Sequence, residues 1–472
     1  MTTTRRTFLE RSGLGAALGL VGGCRALQTS GCEPVLPNRG APLCSGSHAF
    51  SNWAHTIQFR PRRFCLPQSE QQVADLVREA LAAGTGVRTQ GAGHSFSQLL
   101  VTTDTLVSLD VLDRPIVVDG HRVTVPGGMR LKCLIPELRK RGLGLKNLGS
   151  VTEQSIAGAI STGTHGSGLG LGAMSTQVLG VRMVTGNGDV HTVTEGDATD
   201  LAAARVNLGA LGIITEVTLD CVPDYELEYT AYLTRFDDVI GLIDALNAEN
   251  ERVVLWWLLL PLVPRDTMVL LTKNPPGGPR GTLAQGSVQA SANVRARRLP
   301  MRERDLLEAA REAPARGFKK IHQVVSDYDE ALTIPLLPVF HRECEYAVPV
   351  ANAEKALRAI REVVEEGDVT LTLPIEVRFV AADDALLSPC RDRAVCYIGA
   401  STLPNSTEVF ERFEPLMKSL GGKPHWGKNY TVTQREVAQD MYPDTYEAFR
   451  AVRDRFDPRR VFANTMLTEL FP

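Results

Sequence analysis

Apolar residues along the chain switch between helical and alternating spacing. In "SEQQVADLVREALAAG", Val73, Leu76, Val77, Ala80 and Leu81 recur at helical intervals, with Ser69 and Gln72 as a capping box and Gly84 as a stop. The stretches "VRTQGAG", "TLVSLDVLD" and "HRVTVPGG" read as strands separated by turn residues. "RLKCLIPELRKRG" reads as a helix that Pro136 should kink or interrupt. "QVLGVRMVTGNGDVHTV" predicts a hairpin turning at Asn187-Gly188, and "LGALGIITEVTLDCV" enters a β-branched strand. This mixed block closes near Val222. A second block, 223–430, holds strands such as "VVLWWLLLPL" and "LTLPIEVRFVA" and a helix in "NAEKALRAIREVVEEG". Inside it, residues 273–304 show little periodicity and read as a mobile excursion or lid. In the C-terminal segment, 431–472, "YPDTYEAFRAVRDRFDPRRVFANTMLTELF" reads as a helix followed by short turns, and the chain contains no internal repeat.

A length of 472 residues accommodates two or more domains with large cores. A net charge of −3 provides no basic excess to pair with phosphates, and 6% aromatic residues provide few stacking platforms, so a nucleic-acid partner is excluded.

Residues 1–24 stand apart from the globular pattern. Arg5-Arg6 precedes Thr7-Phe8-Leu9 and a Gly/Ala/Leu run, the layout of a Tat export signal. That places the mature protein in the periplasm or cell envelope, and because Tat exports folded proteins it favours a flavoprotein or a metalloprotein. The run ends in Val21-Gly22-Gly23-Cys24, which resembles a lipobox with Cys24 as the residue that would carry a membrane lipid anchor. Residues 25–50, rich in Pro, Gly, Ser and Asn, read as a linker. Of the nine cysteines, Cys32, Cys44 and Cys65 cluster early, while Cys390 and Cys396 flank a short charged turn and could pair locally. No Cys/His cluster has zinc spacing, so no metal site is expected.

Two glycine-rich stretches carry candidate chemistry. The first is Gly91-Ala92-Gly93-His94-Ser95; the second is "GSVTEQSIAGAISTGTHGSGLGLG", where Thr162, Thr164, Ser167 and backbone N–H groups could receive an anion such as pyrophosphate. Gly168-x-Gly170-x-Gly172 misplaces the third glycine of a dinucleotide fingerprint, so the nicotinamide reading is rejected. Two glycine turns, each ending near a histidine (His94 and His165), suit a long cofactor stretched between two small α/β subdomains. Farther along, Glu376 and Arg378 lie two apart in an apolar β run, so they share a face and a site, a structural ion pair being the alternative. Lys428 follows Pro424-His425-Trp426-Gly427, an unusual flank for a lysine serving only solubility.

"GAGHSFS", "SIAGAISTGTHGSG", "LGALGIITEVTL", "EVRFVAAD" and "KPHWGK" occur in an order that resembles the aldonolactone oxidase and alditol oxidase group of the vanillyl-alcohol-oxidase flavoprotein superfamily. The likeness runs from "SNWAH" to "FDPRRVFANTML". It implies an α+β fold: a two-subdomain FAD-binding domain of PCMH type over residues 51–222, an α/β substrate-binding cap over 223–430, and a C-terminal segment packing back on the FAD domain. It further implies FAD bonded covalently to His94, with Gly91, Ala92, Gly93, Ser95, Ser155, Gly158, Thr162, Thr164, His165, Gly166, Ile213 and Ile214 around the cofactor.

By the same resemblance, Glu376 and Arg378 bind and polarise the reacting hydroxyls, Lys428 stabilises the reduced flavin, and His425 supports them or relays protons. Gly127 would line the route of oxygen, glycine there going with oxidases and alanine with dehydrogenases. The implied activity is an exported FAD-dependent oxidase. It transfers hydride from a carbinol of a small sugar-derived substrate (aldonolactone, alditol or related polyol) to flavin, and oxygen becomes hydrogen peroxide. Two other readings stay open: a dehydrogenase of the same fold passing electrons to a quinone or cytochrome, and a flavin-free sugar-binding envelope lipoprotein. The motifs distinguish neither lactone from polyol nor one oligomeric state from another.

Overall fold

Helix Glu70–Ala83 forms where apolar spacing and capping residues coincide. Ser69 Oγ accepts the Gln72 N–H at 3.3 Å, and Gly84 closes the helix at φ 63°, a left-handed conformation that glycine adopts at little cost. Gln72 departs from the capping box, its side chain accepting the Gln68 N–H at 2.7 Å instead. The structure is a computed structural model that describes residues 43–259, 263–277, 283, 288–290, 303–333, 340–366, 373–403 and 407–472. The twin-arginine run, Cys24, Cys32 and the first part of the linker lie outside the described residues.

Among the described residues, the first unit contains two larger sheets. Cys44–Ser45, Arg63–Cys65, Thr105–Ser108 and Val87–Gln90 form one, in that order; Val190–Thr194, Val178–Val184, Ile213–Asp220, Arg122–Pro126 and Val117–Asp119 form the other. The buried face of Glu70–Ala83 packs on Cys65, Val87 and Val107 of the former and on Val184 and Ile213 of the latter. Asn187-Gly188 turns the Val178–Val184/Val190–Thr194 hairpin, with Gly188 at φ 77°.

The C-terminal segment returns to this unit: the Val87 N–H donates to Val461 O at 2.8 Å, and Arg88 Nη1 to Phe462 O at 2.6 Å. The turns expected after helix Tyr446–Phe456 include a second helix, Thr465–Leu470, whose Asn464 cap accepts the Leu467 N–H at 2.9 Å. Helix Leu131–Arg139 continues through Pro136, so the expected interruption does not occur. Leu131, Cys133, Leu134, Ile135 and Leu138 are buried along it, and that packing outweighs the one missing hydrogen bond.

Cys44 pairs with Cys65 in a disulfide that ties two strands, so the linker expected over 25–50 gives way to the folded body by residue 44. Replacing both cysteines with serine should lower the unfolding free energy by about 3 kcal/mol, the loop-closure contribution for a span of this size. Denaturant melts of the two proteins in oxidising buffer measure it; equal midpoints would contradict the expectation. Cys390 and Cys396 do not pair. Cys396 packs on one face of the second unit's sheet and Cys390 against Tyr397 on the other, and both are free thiols.

The second unit is built on nine strands in the order Val288–Ala290, Phe318–Asp327, Glu226–Arg235, Thr267–Asn274, Arg252–Leu258, Ile375–Val380, Val395–Thr402, Arg342–Pro349 and Lys423–Pro424. Lys273 and Asn274 therefore finish a strand rather than open an excursion, and Glu303 begins helix Glu303–Ala310; of the stretch between, 278–282, 284–287 and 291–302 lie outside the described residues. Side-chain alternation divides the sheet. Val253, Leu255, Trp257, Val377 and Ile398 pack under helices Ala353–Glu365 and Glu408–Ser419, while Val254, Trp256 and Leu258 belong to the core shared with the first unit. What the sheet presents on that second face decides the site.

Candidate active site

Strand register assembles the charged residues. Trp256, Glu376, Gly399 and Glu345 form one cross-strand row; Val254, Arg378, Tyr397 and Ala347 form the next, and Glu343 lies opposite Ser401 beyond Gly399. Facing them from the first unit are the two glycine-rich stretches, which touch. A Cβ on Gly91 would lie 2.2 Å from Ser155 Oγ, so only glycine admits this approach. Gly93, at φ 69°, turns the chain so that His94 follows on the wall.

A cavity of about 360 Å³ separates the glycine stretches from the sheet, and Glu376, Arg378, Lys428, His425, His94 and Gly127 all line it. So do the expected cofactor residues with one exception. Gly166 turns away, packed so closely on Asn147 that a Cβ would meet its Oδ1 at 2.2 Å. Ser167, expected to help bind an anion, is instead fastened to the sheet, donating to Val253 O and accepting the Phe379 N–H at 3.1 Å.

Glu376 and Arg378 form an ion pair on their strand. Trp256 Nε1 donates to Glu376 Oε1 at 3.0 Å, and Arg378 Nη2 donates to Ser150 Oγ at 2.6 Å. Burial works against the Arg378 charge, but the Glu376 and Glu345 carboxylates raise its pKa and keep it cationic. Lys428 pairs with Glu343 and lies 5.5 Å from the Phe96 ring centroid. Burial opposes its charge as well, and Glu343 and Glu345 overcome it, raising the ammonium pKa. Glu345 meets His165 Nε2 at 3.4 Å; burial would raise its carboxyl, but its contact with His165 and the Lys428 charge hold it well below the carboxylate range.

His165, Glu345 and His425 gather their ligand atoms within 4.8 Å of one another, a grouping that invites a metal reading. The backbone partner of His425 argues otherwise, because it leaves that imidazole's proton on the nitrogen opposite Nδ1. The Gly427 N–H donates to His425 Nδ1 at 2.9 Å, so neutral His425 carries its proton on Nε2. His165 Nδ1 donates to Gly166 O at 2.9 Å, which points Nε2 at Glu345. Burial pushes His425 down to about 3, which keeps it neutral.

His94 stacks near Trp53, with ring centroids 5.5 Å apart. Burial, with Arg130 and Lys428 adding, pushes its imidazole down to about 4, so it is neutral at physiological pH. Two observations fit a large cofactor here: Gln90 Oε1 is buried on the cavity wall with no hydrogen-bond partner among the described residues, and Gly399 leaves open space that a Cβ would fill, 3.2 Å from Glu343 Oε1. FAD suits that wall, with His94, the turn around it and the Ser155–Thr164 stretch placed to hold it.

Gly127 occupies the cavity wall differently from the expectation of a simple gate. A Cβ there would lie 2.2 Å from Ile214 O, pointing at backbone. Gly127→Ala should therefore shift the Ile213–Asp220 strand and cost about 1–3 kcal/mol in stability, beside any effect on oxygen. A thermal melt of this variant matching that of the unaltered protein would contradict the close approach.

Glu343, Glu345, Trp256 and Ser150 escaped the sequence reading. The signal for the first two was present: in "RECEYAVP" both glutamates alternate with Cys344 and Tyr346, which are buried on the opposite face. Trp256 and Ser150 became visible only through register and contact.

Comparison with known proteins agrees with this geometry. A family model described as D-arabinono-1,4-lactone oxidase matches residues 217–470, and one described as an FAD binding domain matches 61–194. The chain is 33% identical over 431 residues to L-gulono-1,4-lactone dehydrogenase of Mycobacterium tuberculosis, covering 89% of this chain and 98% of the relative. It is 28% identical to L-gulonolactone oxidase of Bos taurus over 439 residues, with the same coverage. A crystal structure of cholesterol oxidase from B. sterolicum superposes with a TM-score of 0.73 at 19% identity, over 93% of this chain and 99% of that one, and shares the fold.

Proposed function

Because the chain belongs to the aldonolactone oxidase family of FAD-dependent oxidoreductases acting on CH–OH groups, we propose that it oxidises a ring carbinol of a small sugar lactone, with oxygen as the acceptor. One observation carries this reading: the Glu376–Arg378 pair faces the same cavity as His94 and both glycine-rich stretches. Bound FAD would supply the two-electron acceptor for the carbinol hydride. Arg378, held cationic and aimed by Ser150, binds and polarises the substrate hydroxyls. Glu376 receives the departing hydroxyl proton on a carboxylate oxygen whose orientation Trp256 fixes. Lys428 adds positive charge to the wall, and neutral His425 presents Nε2–H toward the Glu345 side of the site.

A covalent bond between His94 and the flavin is part of the proposal. A neutral buried imidazole set directly after the Gly91-Ala92-Gly93 turn supports it, since a neutral ring keeps an unprotonated nitrogen able to react. We further propose Tat export directed by Arg5-Arg6, with Cys24 as a lipid anchor. The Cys44–Cys65 disulfide suits an oxidising compartment outside the cytoplasm.

The Mycobacterium tuberculosis relative bears the name dehydrogenase, which favours a second reading, transfer to a quinone or cytochrome. Stopped-flow mixing of pre-reduced enzyme with aerated buffer separates the two. Rapid reoxidation with stoichiometric hydrogen peroxide is expected; slow reoxidation together with rapid quinone or cytochrome reduction would favour the dehydrogenase.

A further inference from the structure

A second cavity, of about 20 Å³, shares Ser150, Trp256, Glu376 and Arg378 with the main one and adds Arg252 and Lys273. Arg252 and Lys273 are 2% and 6% exposed, and they are direct cross-strand neighbours on one face of the sheet. Arg252 pairs with Glu251 and donates from Nη2 to Lys146 O at 3.0 Å, but its buried Nε–H has no partner among the described residues. Lys273 makes no hydrogen bond or ion pair with any described residue; its charged neighbours are Arg378, Glu376 and Arg252, and Tyr229 is paired with it from the adjoining strand.

Charge does not balance there. Glu251 answers Arg252 and Glu376 answers Arg378, which leaves Lys273, when protonated, as a buried cation without a carboxylate of its own. Burial, with Arg378 and Arg252 acting in the same direction, pulls its ammonium down to about 7. The enclosure has room for one small occupant. The unpartnered groups on its wall, the Arg252 Nε–H and the Lys273 ammonium, are both donors, while Glu376 already accepts one bond on each carboxylate oxygen, from Trp256 and Arg378. An occupant that only accepts fits the unsatisfied donors better.

We propose that this cavity binds one chloride-sized monovalent anion between Lys273, Arg252 and Arg378, behind the Glu376–Arg378 pair. Occupied, it neutralises the surplus charge and fixes the electrostatic setting of that pair. The site does not depend on which alcohol the enzyme oxidises.

Crystals of the holoenzyme soaked in sodium bromide test it. An anomalous peak within hydrogen-bonding reach of Lys273 Nζ and Arg252 Nε is expected; no peak there in the unaltered protein overturns the proposal, because water or nothing would then occupy the cavity. In solution, chloride should raise the holoenzyme's unfolding midpoint saturably, by about 2 °C over methanesulfonate at equal ionic strength. Lys273→Met should lose that difference. A bromide peak persisting in Lys273→Met would remove Lys273 from the site, and identical midpoints of the unaltered enzyme in the two salts would count against any stabilising anion. Should the variant fail to fold, the bromide soak of the unaltered enzyme decides alone.

Discussion

Replacing Arg378 with methionine should slow anaerobic flavin reduction by substrate roughly 1000-fold or more while the protein keeps its flavin. The guanidinium is buried on the cavity wall, paired with Glu376 and aimed by Ser150, so it is already oriented when the substrate oxygen begins to gain charge. Solvent has little access to replace it. Removing it also leaves the partly exposed Glu376 carboxylate without its countercharge, which lowers stability unless the carboxyl takes up a proton. The double variant Glu376→Gln/Arg378→Met removes that strain and should melt closer to the unaltered protein, yet remain unreactive. Stopped-flow flavin absorbance gives the rate, and thermal melts give the stability. Reduction by Arg378→Met at near the unaltered rate would move the chemistry elsewhere in the cavity.

The second large effect concerns His94. Acid-precipitated enzyme should hold all its flavin in the pellet, and His94→Ala should release all of it to the supernatant. His94 has few rivals for the role, since it is a neutral nitrogen nucleophile on the wall beside the glycine turns. His165 and His425 have their Nδ1 atoms engaged by backbone and their other sides turned toward Glu345. His94→Ala should still bind flavin, because the glycine cradle survives, and should turn over more slowly. Flavin released quantitatively from the unaltered enzyme would end the covalent assignment.

Much of the site was legible because strand periodicity carries it. Two positions apart on an apolar strand puts Glu376 and Arg378 on one face whatever the fold, and the glycines just before His94 announce a wall that side chains must leave free. The alternation of Glu343 and Glu345 in "RECEYAVP" was equally readable, but its meaning depended on which strand lay alongside. Only register shows that Glu345 and Glu376 flank Gly399. Pairing of Cys390 with Cys396 looked plausible from spacing alone and fails because Cys390, on the turn before strand Val395–Thr402, packs against Tyr397 on one face of the sheet while Cys396 points to the other. Pro136 was misjudged for a related reason: local propensity argued for a break, and burial of the helix's apolar side decided otherwise. Lys273 was invisible as a site residue. An isolated lysine at the end of an apolar strand reads as solvated until the neighbouring domain is seen to cover it.

Mixing the oxidised enzyme with aldono-1,4-lactones in the absence of oxygen tests lactone oxidation most directly. At least one, L-gulono-1,4-lactone or D-arabinono-1,4-lactone among them, should bleach the flavin absorbance completely in a single rapid phase, with one oxidised lactone formed per flavin. A yellow enzyme that no lactone bleaches, while an open-chain polyol reduces it quickly, would contradict the lactone reading and leave only the FAD-dependent alcohol chemistry standing.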